Sequence, residues 1–465
     1  MKKFFQRLLV AIAGLALALT ILAAKQLPPA GGPPKPFKVP PHEDFTLPNG
    51  LKVTLVSFGD VPKVTVDVIV RSGSVNEAEN QVWLANITCD LMKEGTKTRS
   101  AEQVAKDAAG MGGVISVSVG PDQTQIQSDA LSEFGTHMVS LLADVTENPL
   151  LPESELPRLK KDAVRKMTIE LSQPRNVARH HFLMLLYPDH PYGRLYPTEA
   201  MINSVSIDDV RGFYAKNFGA ARTHVYVVGK FDPVAMRQAV TDNFDKWPHN
   251  TEPQIAVPKP NQGHAFDFTD KPGAVQSTVY VGLPVIDPGN PDYIALVVMD
   301  NLLGGSFASR ITSNIRENKG YTYSPSSTVS TRYRDAYWAE AADVTTNVTG
   351  PSLKEIFYEI NRLENEPPTV TELKGIQEYM SGIFVLRNSS RQGIINQLNF
   401  VDLQGLGSQY LETYVQKVNA VTPEQVSAVA KRYLLTDRMK IVVVGDKEKI
   451  AEQLKPYENA AATDK

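Results

Sequence analysis

Two side chains near residue 320 have the types and spacing to bind a reacting carbonyl group. Arg316 and Tyr323 lie seven positions apart, with Gly320 between them. A guanidinium offers a rigid fork of hydrogen-bond donors and a phenol offers one more, so a preorganised pair could stabilise an oxyanion. Neither group can generate a nucleophile. On these residues alone, a surface ion pair of Arg316 and a strand beginning at Tyr323 would be the simpler explanation.

Several ordered landmarks surround this pair. Residues 47–53 read L-P-N-G-L-K-V, residues 73–77 read G-S-V-N-E, and residues 303–311 read L-G-G-S-F-A-S-R-I. In this order they resemble the pitrilysin/insulinase (M16) family of zinc metallopeptidases, whose second half carries an R-E-K-x-G-x-x-Y box. The resemblance covers most of the chain. It implies that Arg316 and Tyr323 contact a peptide substrate and stabilise the transition state.

The zinc-binding half of this machinery is degenerate. The family carries H-x-x-E-H on a helix that ends in a K-G-T-like turn, here E-G-T at residues 94–96. Counting back from the turn places the two His positions on Asn86 and Asp90, and the Glu position on Cys89. The chemistry needs two imidazoles one helical turn apart and a carboxylate to take a proton from water. We therefore expect no zinc in this chain and no activity from it alone.

An altered metal site is a weaker alternative. The family's distal Glu ligand falls near Lys166, a cation that would repel a metal, although Glu170 lies one helical turn further on. A site built from Asp90, Glu170 or His180 would make this chain a stand-alone enzyme. The two carboxylates would suit Mg²⁺ or Ca²⁺ better than zinc. The remaining histidines have no ligand spacing.

The chain contains an internal repeat. Residues 206–229 open with a capping serine and early acids, continue as a helix, and end in an apolar strand closed by glycine. Residues 422–445 repeat this plan at a constant offset, because 422 − 206 = 216 and 445 − 229 = 216. Capping residues and helical periodicity define the helices, and the apolar runs define the strands. A repeat of this length indicates a duplicated domain.

The duplication predicts an α+β fold with two homologous domains. Each should be a mainly antiparallel sheet covered by helices on one face. The domains span residues 44–247 and 263–457. They are joined by a Pro- and Asn-rich linker at 248–262, and a tail follows at 458–465. The alternative is one large α/β domain.

The N-terminus predicts export. Residues 1–24 combine Lys2, Lys3 and Arg7 with a long apolar run, which is typical of a signal peptide or a retained membrane anchor. Residues 25–43 are a Pro/Gly-rich linker. We expect a periplasmic or otherwise exported protein, which a retained anchor would tether to the inner membrane. The single cysteine excludes an intrachain disulfide, and the net charge of −3 without basic runs argues against nucleic-acid binding.

Taken together, the resemblance implies a non-catalytic subunit of a heterodimeric zinc peptidase that acts on unfolded peptides. The partner would be an M16 homologue with an intact H-x-x-E-H motif, and it would hold the zinc. This chain would bind no cofactor and would contribute Arg316 and Tyr323 to the shared site. The rival hypothesis is a structural or peptide-binding homologue without a role in catalysis. The intact Arg/Tyr box argues against that rival, since a scaffold does not need it.

Overall fold

Two β-sheets organise residues 37–459, the part of the chain that the computed structural model describes. The strands are, in chain order, β1 (His42–Thr46), β2 (Lys52–Ser57), β3 (Lys63–Val70), β4 (Ser116–Val119), β5 (Thr124–Leu131), β6 (Thr223–Gly229), β7 (Ala265–Asp270), β8 (Gln276–Val285), β9 (Ser326–Arg332), β10 (Asp335–Thr345) and β11 (Lys440–Gly445). The α-helices are α1 (Leu84–Met92), α2 (Ala101–Gly110), α3 (Gly135–Glu147), α4 (Leu156–Ser172), α5 (Pro174–Leu186), α6 (Glu199–Ser204), α7 (Ile207–Asn217), α8 (Pro233–Phe244), α9 (Tyr293–Asp300), α10 (Thr349–Asn365), α11 (Val370–Arg387), α12 (Arg391–Gln404), α13 (Gln409–Ala420), α14 (Pro423–Tyr433) and α15 (Lys447–Leu454).

The two sheets share one strand plan. The first has the order β1-β2-β6-β3-β5-β4 and the second the order β7-β11-β8-β10-β9. Each sheet contains one parallel pair of strands, β2 with β6 in the first and β7 with β11 in the second. All other neighbouring strands are antiparallel. The first sheet adds β1 at its edge. The predicted α+β class, with two similar and mainly antiparallel sheets, is therefore confirmed.

The repeat is also visible in the helix caps. Helix α14 begins 216 residues after α7 (423 − 207), and β11 ends 216 residues after β6 (445 − 229). The Ser206 hydroxyl accepts a hydrogen bond from the Asp209 N–H at 3.1 Å, and the Thr422 hydroxyl accepts one from the Gln425 N–H at 3.3 Å. The Asp209 and Gln425 side chains bond back to the cap N–H groups, so both helices start with a capping box.

Both faces of the central strands are buried, which the sequence analysis did not expect. On β3, Val64, Val66 and Val68 join the core formed with the helices of the first half, whereas Ile69 packs on the opposite side. Side chains alternate between faces along a strand, so burial of both sets requires a cover on each side. Helices on one face alone, as predicted, would leave the other apolar face in water.

The missing covers come from the other half of the chain. Helix α5 of the first half lies on the second sheet, where the Phe182 ring centroid is 4.8 Å from that of Tyr280 and 5.5 Å from that of Tyr337. Helix α12 of the second half lies on the first sheet through Ile394 and Ile395. The starts of the two helices differ by 217 residues (391 − 174). They therefore hold equivalent places in the repeat, and the two halves exchange them reciprocally.

A polar cluster adds to this exchange. The Asp402 carboxylate of α12 lies 2.9 Å from the Arg71 guanidinium and 3.2 Å from the Lys52 ammonium, both in the first half. Burial would raise the pKa of Asp402, but a hydrogen bond from His224 and these two cations hold that pKa well below its usual range. The helix is thus fixed by charge as well as by apolar packing.

Some sequence predictions fall outside or across the described residues. The predicted signal peptide or anchor at 1–24 lies outside them. Strand β1 begins at His42, inside the predicted linker 25–43, and Phe37 packs edge-on against Phe384 at 5.1 Å. Residues 248–262 form no helix or strand. Within residues 37–459, no helix is long and apolar enough to cross a bilayer.

Removing the Phe182 ring should lower the stability of the whole fold, because that ring packs α5 against the second sheet. We expect Phe182→Ala to lower the free energy of unfolding by about 3–5 kcal/mol. Met184 lies on the same helix with 50% exposure, so Met184→Ala should change it by less than about 0.5 kcal/mol. Urea titrations followed by circular dichroism would measure both. Equal losses in the two variants would contradict the exchanged-helix packing.

Candidate functional site

Arg316 and Tyr323 lie together on the second half. The Arg316 guanidinium carbon is 4.7 Å from the ring centroid of Tyr323 and 4.5 Å from that of Phe307, so the cation contacts two aromatic rings. Its Nε also lies 3.1 Å from the Glu317 carboxylate. The predicted pair is therefore brought together. Phe307, which the sequence analysis quoted only as a part of the lead-in, is a third member.

Local backbone geometry explains this closeness. Arg316 sits on a π-helical turn, Thr312–Asn318, which ends before Gly320 at φ +65°, a value that favours glycine. The turn directs the chain back, and the Thr322 hydroxyl donates to the Asp343 carbonyl of β10 at 2.7 Å. Tyr323 follows this anchor immediately. The turn at Gly320 and the hydrogen bond of Thr322 therefore fix the position of Tyr323 relative to Arg316.

The aromatic members of this group face solvent. Tyr323 is 78% exposed and Phe307 is 67% exposed. The Tyr323 hydroxyl makes no hydrogen bond to any residue within 37–459. Large exposed rings beside a cation are typical of surfaces that bind another molecule. The Tyr323 hydroxyl is thus free to donate a hydrogen bond outside this chain.

The degenerate zinc motif has a different environment. Cys89 is buried, with its sulfur 3.9 Å from the Thr124 hydroxyl, and burial raises the pKa of its thiol to about 12. Asp90 points to the surface and pairs with Lys93 at 2.7 Å. Of the three motif positions, Asn86 lines a cavity. The residues do not fit zinc, because they present neither two imidazoles nor a carboxylate base to one point.

The start of this helix is held by the Glu of the G-S-V-N-E landmark. The buried Glu77 carboxyl accepts hydrogen bonds from the backbone N–H groups of Trp83 at 3.1 Å and Ala85 at 2.8 Å. Burial raises the pKa of Glu77 to about 8, against the opposing effect of these bonds. In the sequence, Glu77 was noted only as the last residue of the G-S-V-N-E landmark. Its structural role is to satisfy N–H groups at the first turn of α1.

The alternative metal ligands do not converge. Glu170 accepts hydrogen bonds from the Tyr196 hydroxyl at 2.9 Å and from the Asn176 amide at 3.2 Å. Burial is the main cause that lowers the pKa of His180 to about 4. Within residues 37–459, no three His, Cys, Asp or Glu side chains form a group that could hold a metal. The geometry therefore does not support a metal site formed by Asp90, Glu170 and His180.

One contact joins the exchanged helix to the Arg/Tyr region. The Arg175 guanidinium at the start of α5 donates to the Ser324 carbonyl at 3.1 Å and lies 3.3 Å from the Asp343 carboxylate. The sequence analysis did not single out Arg175. Nothing local marks it, because its partners lie about 150 positions away and become neighbours only through the helix exchange. The first half thereby helps to fix the loop that carries Tyr323.

Two family models match this chain. The family described as "Insulinase (Peptidase family M16)" matches residues 52–196, and the one described as "Peptidase M16 inactive domain" matches residues 204–380. The first match lies within the first half of the repeat, and the second runs from the end of that half into the second half. This chain belongs to the M16 peptidase family.

Individual relatives are distant but nearly full-length. The chain is 24% identical to the uncharacterized zinc protease YmxG of Bacillus subtilis, over 84% of this chain and 96% of that one. It is 25% identical to an uncharacterized zinc protease of Mycobacterium tuberculosis, over 88% and 95%. Among solved structures, a peptidase M16 inactive domain from Pseudomonas fluorescens has a TM-score of 0.79 at 23% identity, covering 87% of this chain and 98% of that one. A protease from Helicobacter pylori has a TM-score of 0.82 at 22% identity, covering 88% and 100%.

The buried thiol at the former base position leads to a labelling prediction. A pKa of about 12 leaves a thiolate fraction near 10⁻⁴ at pH 8, against roughly a quarter for an ordinary thiol. We expect iodoacetamide to alkylate Cys89 about a thousand-fold more slowly in the native chain than in urea, as followed by intact-mass spectrometry. Because Cys89 is the single cysteine, the signal has one source. Similar rates in both states would contradict its burial.

Proposed function

We propose that this chain is the non-catalytic subunit of a heterodimeric zinc peptidase. In this role it contributes Arg316 and Tyr323 to the active site of its partner. The observation that carries the proposal is the contrast between the two halves. The Arg/Tyr pair is assembled and the Tyr323 ring is exposed, whereas the zinc-motif position Cys89 is buried and cannot serve as a base.

The partner would be an M16 homologue with an intact H-x-x-E-H motif. Zinc bound there would activate the water that attacks the peptide. On this chain, the Arg316 guanidinium would hold a peptide carbonyl, and the Tyr323 hydroxyl would donate to the oxyanion as it forms. Neither side chain has to move a proton to do this, so each can act from outside the metal site. The substrates would be unfolded peptides.

The proposal also has a cellular setting. The apolar N-terminal run predicts export, so we place the heterodimer in the periplasm or another exported location. If residues 1–24 are retained, they would tether it to the inner membrane. This tether would keep the peptidase close to newly exported chains.

A matched pair of tyrosine variants tests the catalytic role. In the assembled complex, Tyr323→Phe removes one oxyanion donor and should lower kcat about 10²–10³-fold. Tyr321→Phe is the control, because this half-buried ring lies two positions earlier and packs against the core of the second half. Both complexes should keep their zinc content and mass. Cleavage of a quenched fluorescent peptide gives kcat and KM for each.

Two results would decide against this role. An unchanged kcat in Tyr323→Phe would show that the hydroxyl does not reach the transition state. A rise in KM alone would instead favour the rival hypothesis of a peptide-binding homologue, since uniform loss of binding leaves kcat unchanged.

A further inference from the structure

A cavity beside α1 carries an unusual set of charges. Its volume is about 250 Å³, and Asn86 of the degenerate motif lines it. The lining also holds one carboxylate, Glu170, and four basic side chains: Lys166, Arg179, Arg194 and Arg332. We call this space the basic cavity. Helix α1, which carries the degenerate zinc motif, thus borders a cavity whose charges favour an anion, whereas a metal site favours a cation.

The four basic side chains are not paired directly with an acid in the part of the chain that the structure describes. Within residues 37–459, none of the four lies within ion-pair distance of a carboxylate. Glu77 and Asp122 act on Arg194 and Arg332 only over longer distances. Like charges that share a partly enclosed space repel each other and raise the local potential. An anion that entered the cavity would relieve this repulsion.

The most buried of the four, Arg332, is held in place by rings. Its guanidinium carbon is 5.7 Å from the ring centroid of Tyr192 and 5.4 Å from that of Tyr337. Its Nη1 donates to the Ser330 hydroxyl at 3.0 Å and to the Thr331 carbonyl at 2.8 Å. Its Nη2 and Nε have no hydrogen-bond partner within residues 37–459. A preorganised guanidinium with free donors matches the two oxygens of a carboxylate.

The equivalent cavity of the second half is different. It lies between α9, β9, α11 and α12, which correspond to α1, β4, α4 and α5 around the basic cavity. Its charged lining is one base, Arg387, and one acid, Asp300. Six aromatic residues also line it: Tyr293, Tyr379, Phe384, Phe400, Tyr410 and Tyr414. The fold plan therefore does not require four basic residues at this place.

The basic cavity and the Arg/Tyr pair share one helix. Arg175 donates to the carbonyl of Ser324, the residue after Tyr323. Arg179 lies one turn further along α5, about 6 Å by helical rise, and lines the cavity. An extended peptide advances about 3.3 Å per residue. One peptide of several residues could therefore pass Tyr323 and reach the cavity.

We propose that the basic cavity binds a carboxylate of the peptide substrate. The carboxylate is either the C-terminus of the peptide or an acidic side chain, since both present the same two oxygens. Lys166 and Arg179 at the exposed mouth attract it, Arg194 and Arg332 bind it further inside, and the Asn86 amide adds a neutral donor. This inference rests on the proposed function in that it takes a peptide as the ligand.

Binding to this chain alone tests the inference without a partner. The probes are decapeptides of one neutral sequence that carry an uncharged dye at the N-terminus: one with a free C-terminus, one amidated with a central Glu, and one amidated with a central Gln. Fluorescence anisotropy at low salt should show at least one carboxylate peptide binding about tenfold more tightly than the amidated Gln peptide. The preferred peptide identifies which carboxylate is recognised. Rising salt should weaken its binding.

Variants at the cavity mouth complete the test. The double variant Lys166→Gln/Arg179→Gln should reduce binding of the preferred peptide about tenfold or more. Arg165→Gln is the matched control, since Arg165 is the neighbour of Lys166 on α4, is 77% exposed and pairs with Asp162. It should bind as the unaltered chain does. Thermal unfolding would verify that the variants are folded, which is expected because Lys166 and Arg179 are both exposed.

Three outcomes would overturn the inference. They are equal affinity for all three peptides, no detectable binding of any peptide, and wild-type affinity in the double variant. Failure of the proposed function gives a separate result. If the chain binds the carboxylate peptide but Tyr323→Phe leaves kcat of the complex unchanged, the shared-site role fails while the basic cavity stands.

Discussion

The reciprocal exchange of α5 and α12 is the constraint on which the rest of this structure depends. The central strands carry buried apolar side chains on both faces, and the helices within each half cover only one. Leaving the other face of the second sheet in water would expose Tyr280, Tyr337, Val442 and Val444, which now pack under α5. The free-energy cost of exposing that area is what ties the halves together. Two homologous sheets consequently belong to one compact unit.

The same exchange also positions the residues on which the proposed function rests. Helix α5 brings Arg175 to the loop of Tyr323 and Arg179 to the basic cavity, so the first half contributes to both proposed sites. Cys89 can replace a catalytic Glu without a structural penalty, because free cysteine packs as a small apolar residue. Glu77 has no such freedom, since its carboxyl holds two N–H groups at the start of α1.

Much of this account could be predicted from the sequence because its signals are local. The 216-residue repeat gave the two similar sheets, and the capping residues Ser206 and Thr422 mark the helix starts. The family resemblance of the landmarks around Arg316 and Tyr323 predicted a pair that the structure brings together. Counting back from the E-G-T turn at residues 94–96 predicted the degenerate zinc positions, and this assignment stays a prediction.

What the sequence could not predict depends on long-range packing. Helix α5 has an ordinary local pattern, and nothing in it specifies which of the two sheets it will cover. The contact of Phe307 with Arg316 depends on π-helical turns that no periodicity marks. The basic cavity gathers its basic residues from position 166 to position 332, so its charge is not visible as a run. Single-sequence reasoning finds motifs more readily than sites assembled from several elements.

The central claim is that this chain completes an active site whose metal lies on a partner. In the most direct measurement, this chain is co-expressed with an H-x-x-E-H homologue from the same genome. Each chain alone is then compared with the two chains together. Peptide hydrolysis and native mass spectrometry would be read on the same samples. The account predicts one zinc per heterodimer and hydrolysis only when both chains are present. Stoichiometric zinc or hydrolysis in this chain alone would contradict it, as would full activity of the partner by itself.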